Sequence, residues 1–298
     1  MAHDHSHIHT DANGKMNLKA GMLAISVAGT LMLIKLYAWI QTDSLSIFSS
    51  LVDSSLDVAT SLINFLAITY AMKPADDDHP YGHDSIEDIV GLIQASFIFG
   101  GAFFILYEAL QRFYSPVEVV QNTLGINIMI FSILATLALV VVQKIIVKRT
   151  KSLVVEADSM HYVSDIFSGA LIILSLYLTK NHDLSFVDPV LAVLIAVYIS
   201  HSAIKIGRRA FDNLMDKEIP EKDKLRVIEL INANKKHNGF HDFKTRTNGN
   251  KMFMQFDLEM DGTLTLEQAH DISEEVMHAI MHEYPISEVV IHFDPKRD

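Results

Sequence analysis

The sequence predicts a polytopic α-helical membrane protein, with six transmembrane helices followed by a small C-terminal α+β domain. Three observations carry that prediction. Half of the 298 residues are hydrophobic although a fifth are charged, so the two characters must be segregated along the chain. Charge is sparse between about residues 18 and 204 and dense after 210. The sparse region consists of long apolar runs divided by short polar breaks, and the dense region shows the shorter periodicities of a soluble fold.

Residues 1–14 interleave His3, His5, His7 and His9 with Asp4 and Ser6 and have no apolar core before Leu18. They read as a disordered His-rich tail able to gather metal loosely, not as a cleavable signal peptide. The transmembrane domain, 15–209, holds six candidate spans at 18–40, 45–72, 87–113, 121–147, 153–179 and 186–206. Each is near or above the ~20 residues that cross ~30 Å of hydrocarbon. Six crossings return the chain to its starting side. Lys15 and Lys19 before the first span, Lys144, Lys148, Arg149 and Lys151 around the fourth break, and Lys205, Arg208 and Arg209 around the last place both termini in the cytoplasm. The break at 73–84 lies on that side yet carries Asp76, Asp77 and Asp78.

In the remaining domain, 210–298, Pro220–Lys236 reads as an amphipathic helix with Leu225, Ile228 and Ile231 as its apolar stripe. Strands at about 241–247 and 251–260 are joined by the hairpin signal Asn248-Gly249-Asn250. The second strand alternates Met252, Met254, Phe256, Leu258 and Met260 with Gln255, Asp257 and Glu259. A helix at 265–282 and a strand at about 287–294 complete the order α-β-β-α-β, a small sheet with both helices on one face.

Composition excludes several function classes. Residues 211–298 hold eighteen acidic against eleven basic side chains, a net of −7 within a total of −12. That balance argues against nucleic acid, which is bound through basic contacts to phosphate. With no cysteine, neither a disulfide framework nor a thiolate site can form. Any metal is then held by His, Asp or Glu, which suits Zn²⁺ or Fe²⁺ better than Cu(I). His282-Glu283 runs into Tyr284-Pro285-Ile286, so the His-Glu-x-x-His zinc-protease pattern is missing, and no phosphate-binding Gly-x-x-x-x-Gly-Lys loop occurs.

Two short stretches interrupt the apolar runs with ionisable residues: Asp53-Ser54-Ser55-Leu56-Asp57 and His161-Tyr162-Val163-Ser164-Asp165. Residues four apart share a helix face, so each stretch presents two metal-competent side chains in one direction, and the two faces can meet as a four-ligand site. An ionisable group at membrane depth costs roughly 2.5–3.5 kcal/mol on insertion scales. Hydrogen bonding between helices is one use for such residues. A cation bound by Asp53, Asp57, His161 and Asp165, which can hold Zn²⁺ tetrahedrally, offsets the cost more directly. Such ligands must be deprotonated, so binding expels protons and protonation expels metal; a site open to alternate sides would exchange the two.

A second group is Asp76, His79 and His83, spaced three and four apart in a loop that Pro80 and Gly82 bend. A solvated acidic turn is the alternative. A third group lies in the C-terminal domain. His292 and Asp294 share a sheet face at i,i+2, His241 opens the first strand, and Asp257 and His270 complete the set. His278 and His282 read as solvated helix residues.

The residues Ser49-Ser50-Leu51-Val52-Asp53-Ser54-Ser55-Leu56-Asp57, Asp76-Asp77-Asp78-His79-Pro80-Tyr81-Gly82-His83, Glu156-Ala157-Asp158-Ser159-Met160-His161-Tyr162-Val163-Ser164-Asp165 and Val290-Ile291-His292-Phe293-Asp294-Pro295 resemble the cation diffusion facilitator family, close to its bacterial zinc-transporting, ferrous-iron efflux members. The resemblance covers nearly the whole chain after the tail. It implies a homodimeric Zn²⁺/H⁺ antiporter of the inner membrane, with a metallochaperone-like cytoplasmic domain. It further implies a transport site at Asp53, Asp57, His161 and Asp165, a loop site at Asp76, His79 and His83, and a binuclear zinc site at the dimer interface onto which His241, His270, His292 and Asp294 map. Relatives carry a histidine where this chain has Asp257, and a lysine soon after the loop site, where this chain reads Asp84-Ser85-Ile86. A membrane-anchored zinc sensor is the competing reading from another class; a membrane metalloenzyme is a third.

Overall fold

In a computed structural model, residues 4–42, 45–114, 123–181, 187–249 and 251–296 are described. They form two compact units, one over residues 14–211 and one holding residues 212–298.

The first unit is built from α1 (Asp4–Thr42), α2 (Leu45–Ala71), α3 (Ser85–Tyr114), α4 (Thr123–Thr150), α5 (Leu153–Asn181) and α6 (Val187–Leu214). Helix α1 begins at Asp4, within the stretch whose composition reads as a His-rich tail, and runs without a break into the first apolar run. No proline interrupts that stretch. His3 lies outside the described residues.

Among the described residues, five helices are long and apolar enough to cross a membrane: Ala12–Gln41, Ser50–Ala71, Ser85–Gln111, Ile126–Thr150 and Pro189–Leu214. Helix α5 is long enough, but its first half carries Glu156, Asp158, His161 and Asp165, which dilute the apolar run. The expected sixth span is thus the helix richest in functional side chains.

Packing shows how the helices alternate. Ala20 of α1, Ala67 and Ile68 of α2, Val90 of α3, Ile146 of α4 and Val154 and Val155 of α5 form one buried cluster. It gathers the starts of α3 and α5 with the ends of α2 and α4 and the middle of α1. The end of α6 joins at the same level, with Ile206 and Ala210 against Ala95, Leu153 and Ala157. Small residues permit this closeness. At Gly91 of α3 a Cβ would stand 2.5 Å from Leu153 Cδ2, so any larger residue there would displace the Leu153 side chain. Large side chains such as Phe97, Phe103 and Phe104 point outward, as lipid requires of a helix with few polar residues.

The second unit contains α7 (Glu221–Ala233), β1 (Gly239–Asn248), β2 (Lys251–Met260), α8 (Leu266–Glu283) and β3 (Ser287–Pro295), in the expected order. The sheet order is β1-β2-β3; β1 and β2 are antiparallel, β2 and β3 parallel. Asn248 pairs with Lys251 across a two-residue connection in which Gly249 takes φ 57°, the left-handed geometry that such a turn needs. A capping box between Thr265 and Gln268 starts α8.

The alternation of β2 buries Met254, Phe256, Leu258 and Met260 against Val227 and Ile231 of α7 and Ile272, Val276 and Ile280 of α8. Leu225, read from sequence as part of the α7 stripe, is exposed instead. Val227 takes its place, since Val227 and Ile231 are four apart and bring one face onto the sheet. The other sheet face carries Asp257, Glu259, His292 and Asp294, and neither α7 nor α8 packs on it.

Candidate metal centres

Among the described residues, three groups of His and Asp side chains have ligand atoms within 4.8 Å of one another: Asp57, His161 and Asp165; Asp76, His79 and His83; and His241, Asp257 and Asp294.

The first group lies between α2 and α5. His161 Nε2 stands 3.1 Å from Asp57 Oδ1 and 3.8 Å from Asp165 Oδ2. Ser54 and Ser61 of α2 and Ser159 of α5, each within four residues of a ligand, are buried. The Ser61 and Tyr162 hydroxyls share a 2.7 Å hydrogen bond that ties the two helices one turn from the ligands.

Asp53, one turn from Asp57, is exposed and does not join the three within that distance. Lys35 of α1 was not anticipated. Its ammonium donates to Ser54 Oγ at 2.6 Å and to the Ser50 carbonyl at 3.2 Å, and its charge acts on Asp57, Asp53 and Asp165. The available signal was a lone lysine inside the first apolar run. One imidazole and up to three carboxylates facing one cationic side chain form a centre that a divalent cation can enter by displacing protons.

The second group is fixed by the backbone of the 72–84 loop. Asp76 Oδ1 accepts the His79 backbone N–H at 2.7 Å, and Asp76 Oδ2 stands 3.4 Å from His83 Nε2. His83 Nδ1 lies 3.3 Å from the Lys73 carbonyl. A proton held there leaves Nε2 free to coordinate. Tyr70 packs edge-on against the buried His83 ring, and Gly82 at φ 90° turns the chain so that both imidazoles reach one carboxylate. The His79 N–H, with the His83 and His79 imidazoles assisting, holds the Asp76 carboxyl below the usual carboxylate range.

The third group occupies the open sheet face. Register places His241 opposite Asp257, Asp257 beside His292, and Glu259 beside Asp294. A bulge between His241 and Lys244, with Asp242 at φ 51°, re-aims the end of β1. His241 Nε2 is then 3.4 Å from Asp294 Oδ2, and Nδ1 is 3.8 Å from Asp257 Oδ2.

His292 lies at the margin of this group, its Nε2 4.0 Å from Asp294 Oδ1. His270 is not brought to the group. It sits on α8, in the helical layer, where its Nε2 is 3.5 Å from Glu274. Sequence spacing shows which residues share a helix face but not which layer that face meets. Glu259, 3.7 Å from His241 Nε2, is the neighbour that sequence reading omitted. His278 and His282 are exposed, as expected.

Comparison with known proteins covers both units. A family model described as the cation efflux transmembrane domain matches residues 21–215, and one described as the cation efflux protein cytoplasmic domain matches residues 219–296. The cation-efflux pump FieF of Shewanella oneidensis is 41% identical over 276 residues, 93% of each chain. Protein p34 of Rickettsia rickettsii is 36% identical over 286 residues, 96% of this chain and 94% of its own. The solved metal-bound C-terminal domain of the CzcD transporter from Thermotoga maritima aligns with 26% of this chain and 94% of its own, at 23% identity and a TM-score of 0.23, too low to carry weight.

Proposed function

The chain belongs to the cation efflux family, the cation diffusion facilitators, and from that premise we propose that it exports Zn²⁺ in exchange for protons by alternating access across the cytoplasmic membrane. One observation supports this most directly. Asp57, His161 and Asp165, drawn from two helices of an apolar bundle, converge on a space that one cation can fill. Asp53 supplies the fourth ligand.

The same donors that hold the metal bind protons when it leaves, which makes exchange the natural stoichiometric partner of transport. Cd²⁺, Fe²⁺ and Mn²⁺ fit the same oxygen-rich set. The protein works as a homodimer with both termini in the cytoplasm. Zinc held at Asp76, His79 and His83, and at His241, Asp257, His292 and Asp294, stabilises that dimer or regulates it.

The test is Zn²⁺ flux in proteoliposomes carrying a pH gradient. Wild type moves zinc into or out of the vesicle only with counter-movement of protons, and Asp57→Ala moves none. A wild-type protein that binds zinc and moves none would identify a sensor instead.

A further inference from the structure

A buried carboxylate that the transport reading leaves unused lies one turn from the transport centre. Asp158 precedes His161 by three residues on α5, so the two share a helix face. It is 3% exposed. Its carboxylate accepts from Asn64 Nδ2 of α2 at 2.7 Å and from Gln143 Nε2 of α4 at 2.6 Å. Asn64 Oδ1 in turn accepts from Gln94 Nε2 of α3 at 2.7 Å. Four helices therefore meet on one acidic group through three neutral amides. Amides spread the charge of a carboxylate without cancelling it.

The amides themselves are incompletely satisfied. Gln94 Oε1 and Gln143 Oε1 are buried with no hydrogen-bond partner, although Gln94 is 6% and Gln143 0% exposed. The crevice that Asp158, Asn64 and Gln143 line with Gly21 and Val154 is too narrow for a water molecule. Orphaned buried oxygens call for a specific explanation. A carboxylate and amide oxygens together are a hard, all-oxygen donor set of the kind that takes a divalent cation.

The location agrees. Asn64 lies seven residues after Asp57, two turns along α2 and about 10 Å along the helix axis. These two turns lead from the transport centre toward the bundle end where α2 finishes, α4 finishes, and α3 and α5 begin.

We propose that Asp158, with the amide oxygens of Asn64, Gln94 and Gln143, forms a second cation station between the Asp57–His161–Asp165 centre and that end of the bundle. The station is shut in this conformation. When the helices part, each amide turns its oxygen from its present partner toward the ion, and Asp158 receives the cation before handing it to His161 and its partners. The station rests on the transport reading above and refines its route.

The test uses the full-length protein in proteoliposomes with Zn²⁺ as the probe, measuring initial rates against zinc concentration and, in parallel, zinc bound at equilibrium. Asp158→Asn keeps the shape while removing the charge, and Gln143 can turn its unpartnered Oε1 inward to accept from the new amide N–H. The expected result is a KM about tenfold higher, with kcat within about twofold and the bound zinc per chain unchanged. Gln143→Met should raise KM several-fold, and Asp158→Glu should return it most of the way. An unchanged KM in Asp158→Asn overturns the station. So does a parallel fall in kcat and in bound zinc, which marks Asp158 as a strut only. Absence of zinc flux in wild type defeats the transport reading itself, a result distinct from both.

Discussion

Asp57, His161 and Asp165 stand on two helices, whereas His241, Asp257 and Asp294 stand on three strands, and the difference in scaffold matters more than the similarity in donors. On the sheet, backbone ladders fix His241 opposite Asp257 and Glu259 beside Asp294. That spacing cannot change without breaking hydrogen bonds along both strand pairs. On the helices, the backbone fixes only the spacing of His161 and Asp165. The 3.1 Å separation of His161 from Asp57 depends on side-chain packing and on the Ser61–Tyr162 bond. A centre of the first kind can hold metal in one geometry; a centre of the second kind can open.

The largest expected effect follows from that contrast. Asp57→Ala should reduce zinc flux to background, a loss of at least about a hundredfold, because a carboxylate shared across two helices has no substitute within reach. His241→Ala should lower zinc bound per chain and slow flux only several-fold. Flux and bound metal measured on the same preparations decide the matter. Equal loss of flux in both variants would break the comparison.

Next comes the tie between the helices. Tyr162→Phe leaves the buried Ser61 hydroxyl without its partner and should destabilise the transmembrane unit by about 1–3 kcal/mol. A denaturation midpoint in detergent that falls for Tyr162→Phe and stays fixed for His241→Ala would confirm that packing holds one centre and a backbone ladder the other. No change in Tyr162→Phe would mean that the helices are held by apolar contact alone.

A smaller effect is expected from Asp257→His. Exchanging one oxygen for an imidazole in a fixed sheet register favours borderline Zn²⁺ over harder ions. Zinc affinity of the C-terminal domain should rise about tenfold, roughly 1.4 kcal/mol, with Mn²⁺ affinity falling. Titration of the full chain with each metal measures both. If the two affinities move together, the geometry of the face rather than its donors sets selectivity.

Much of this was legible in the sequence, for identifiable reasons. Helix periodicity places Asp57 one turn from Asp53 and Asp165 one turn from His161, because i,i+4 is a property of one element. Strand alternation placed Asp257 and Glu259 on the open face for the same reason. Features that depend on the register between elements were not legible. Lys35 reaches Ser54 from another helix, Asn64 and Gln143 reach Asp158 from two others, and His270 lies in the helical layer away from His241. The α1 start at Asp4 falls in a stretch whose polar His-rich composition reads as a tail, so its boundary has no sequence signal.

The smallest effect belongs to the loop, which has neither ladder nor helix to hold its ligands. There the geometry depends on the His79 N–H donating to Asp76 at 2.7 Å, and this bond is the main cause that holds the carboxyl below its usual range. A folded pKa depressed below the unfolded value contributes stability that is complete above the unfolded value, about 4, and is lost as pH falls through the depressed folded value. Acidification from pH 7 to about 5 should therefore leave the turn intact in metal-free protein, with the His79 amide resonance shifting only below about pH 4. Asp76→Asn keeps an acceptor but removes the charge, and should weaken zinc binding at the loop several-fold while leaving the sheet face unaffected. If the His79 amide instead titrates at or above the ordinary carboxylate value, the bond does not hold in solution, and the loop must be assembled by the metal rather than prepared for it.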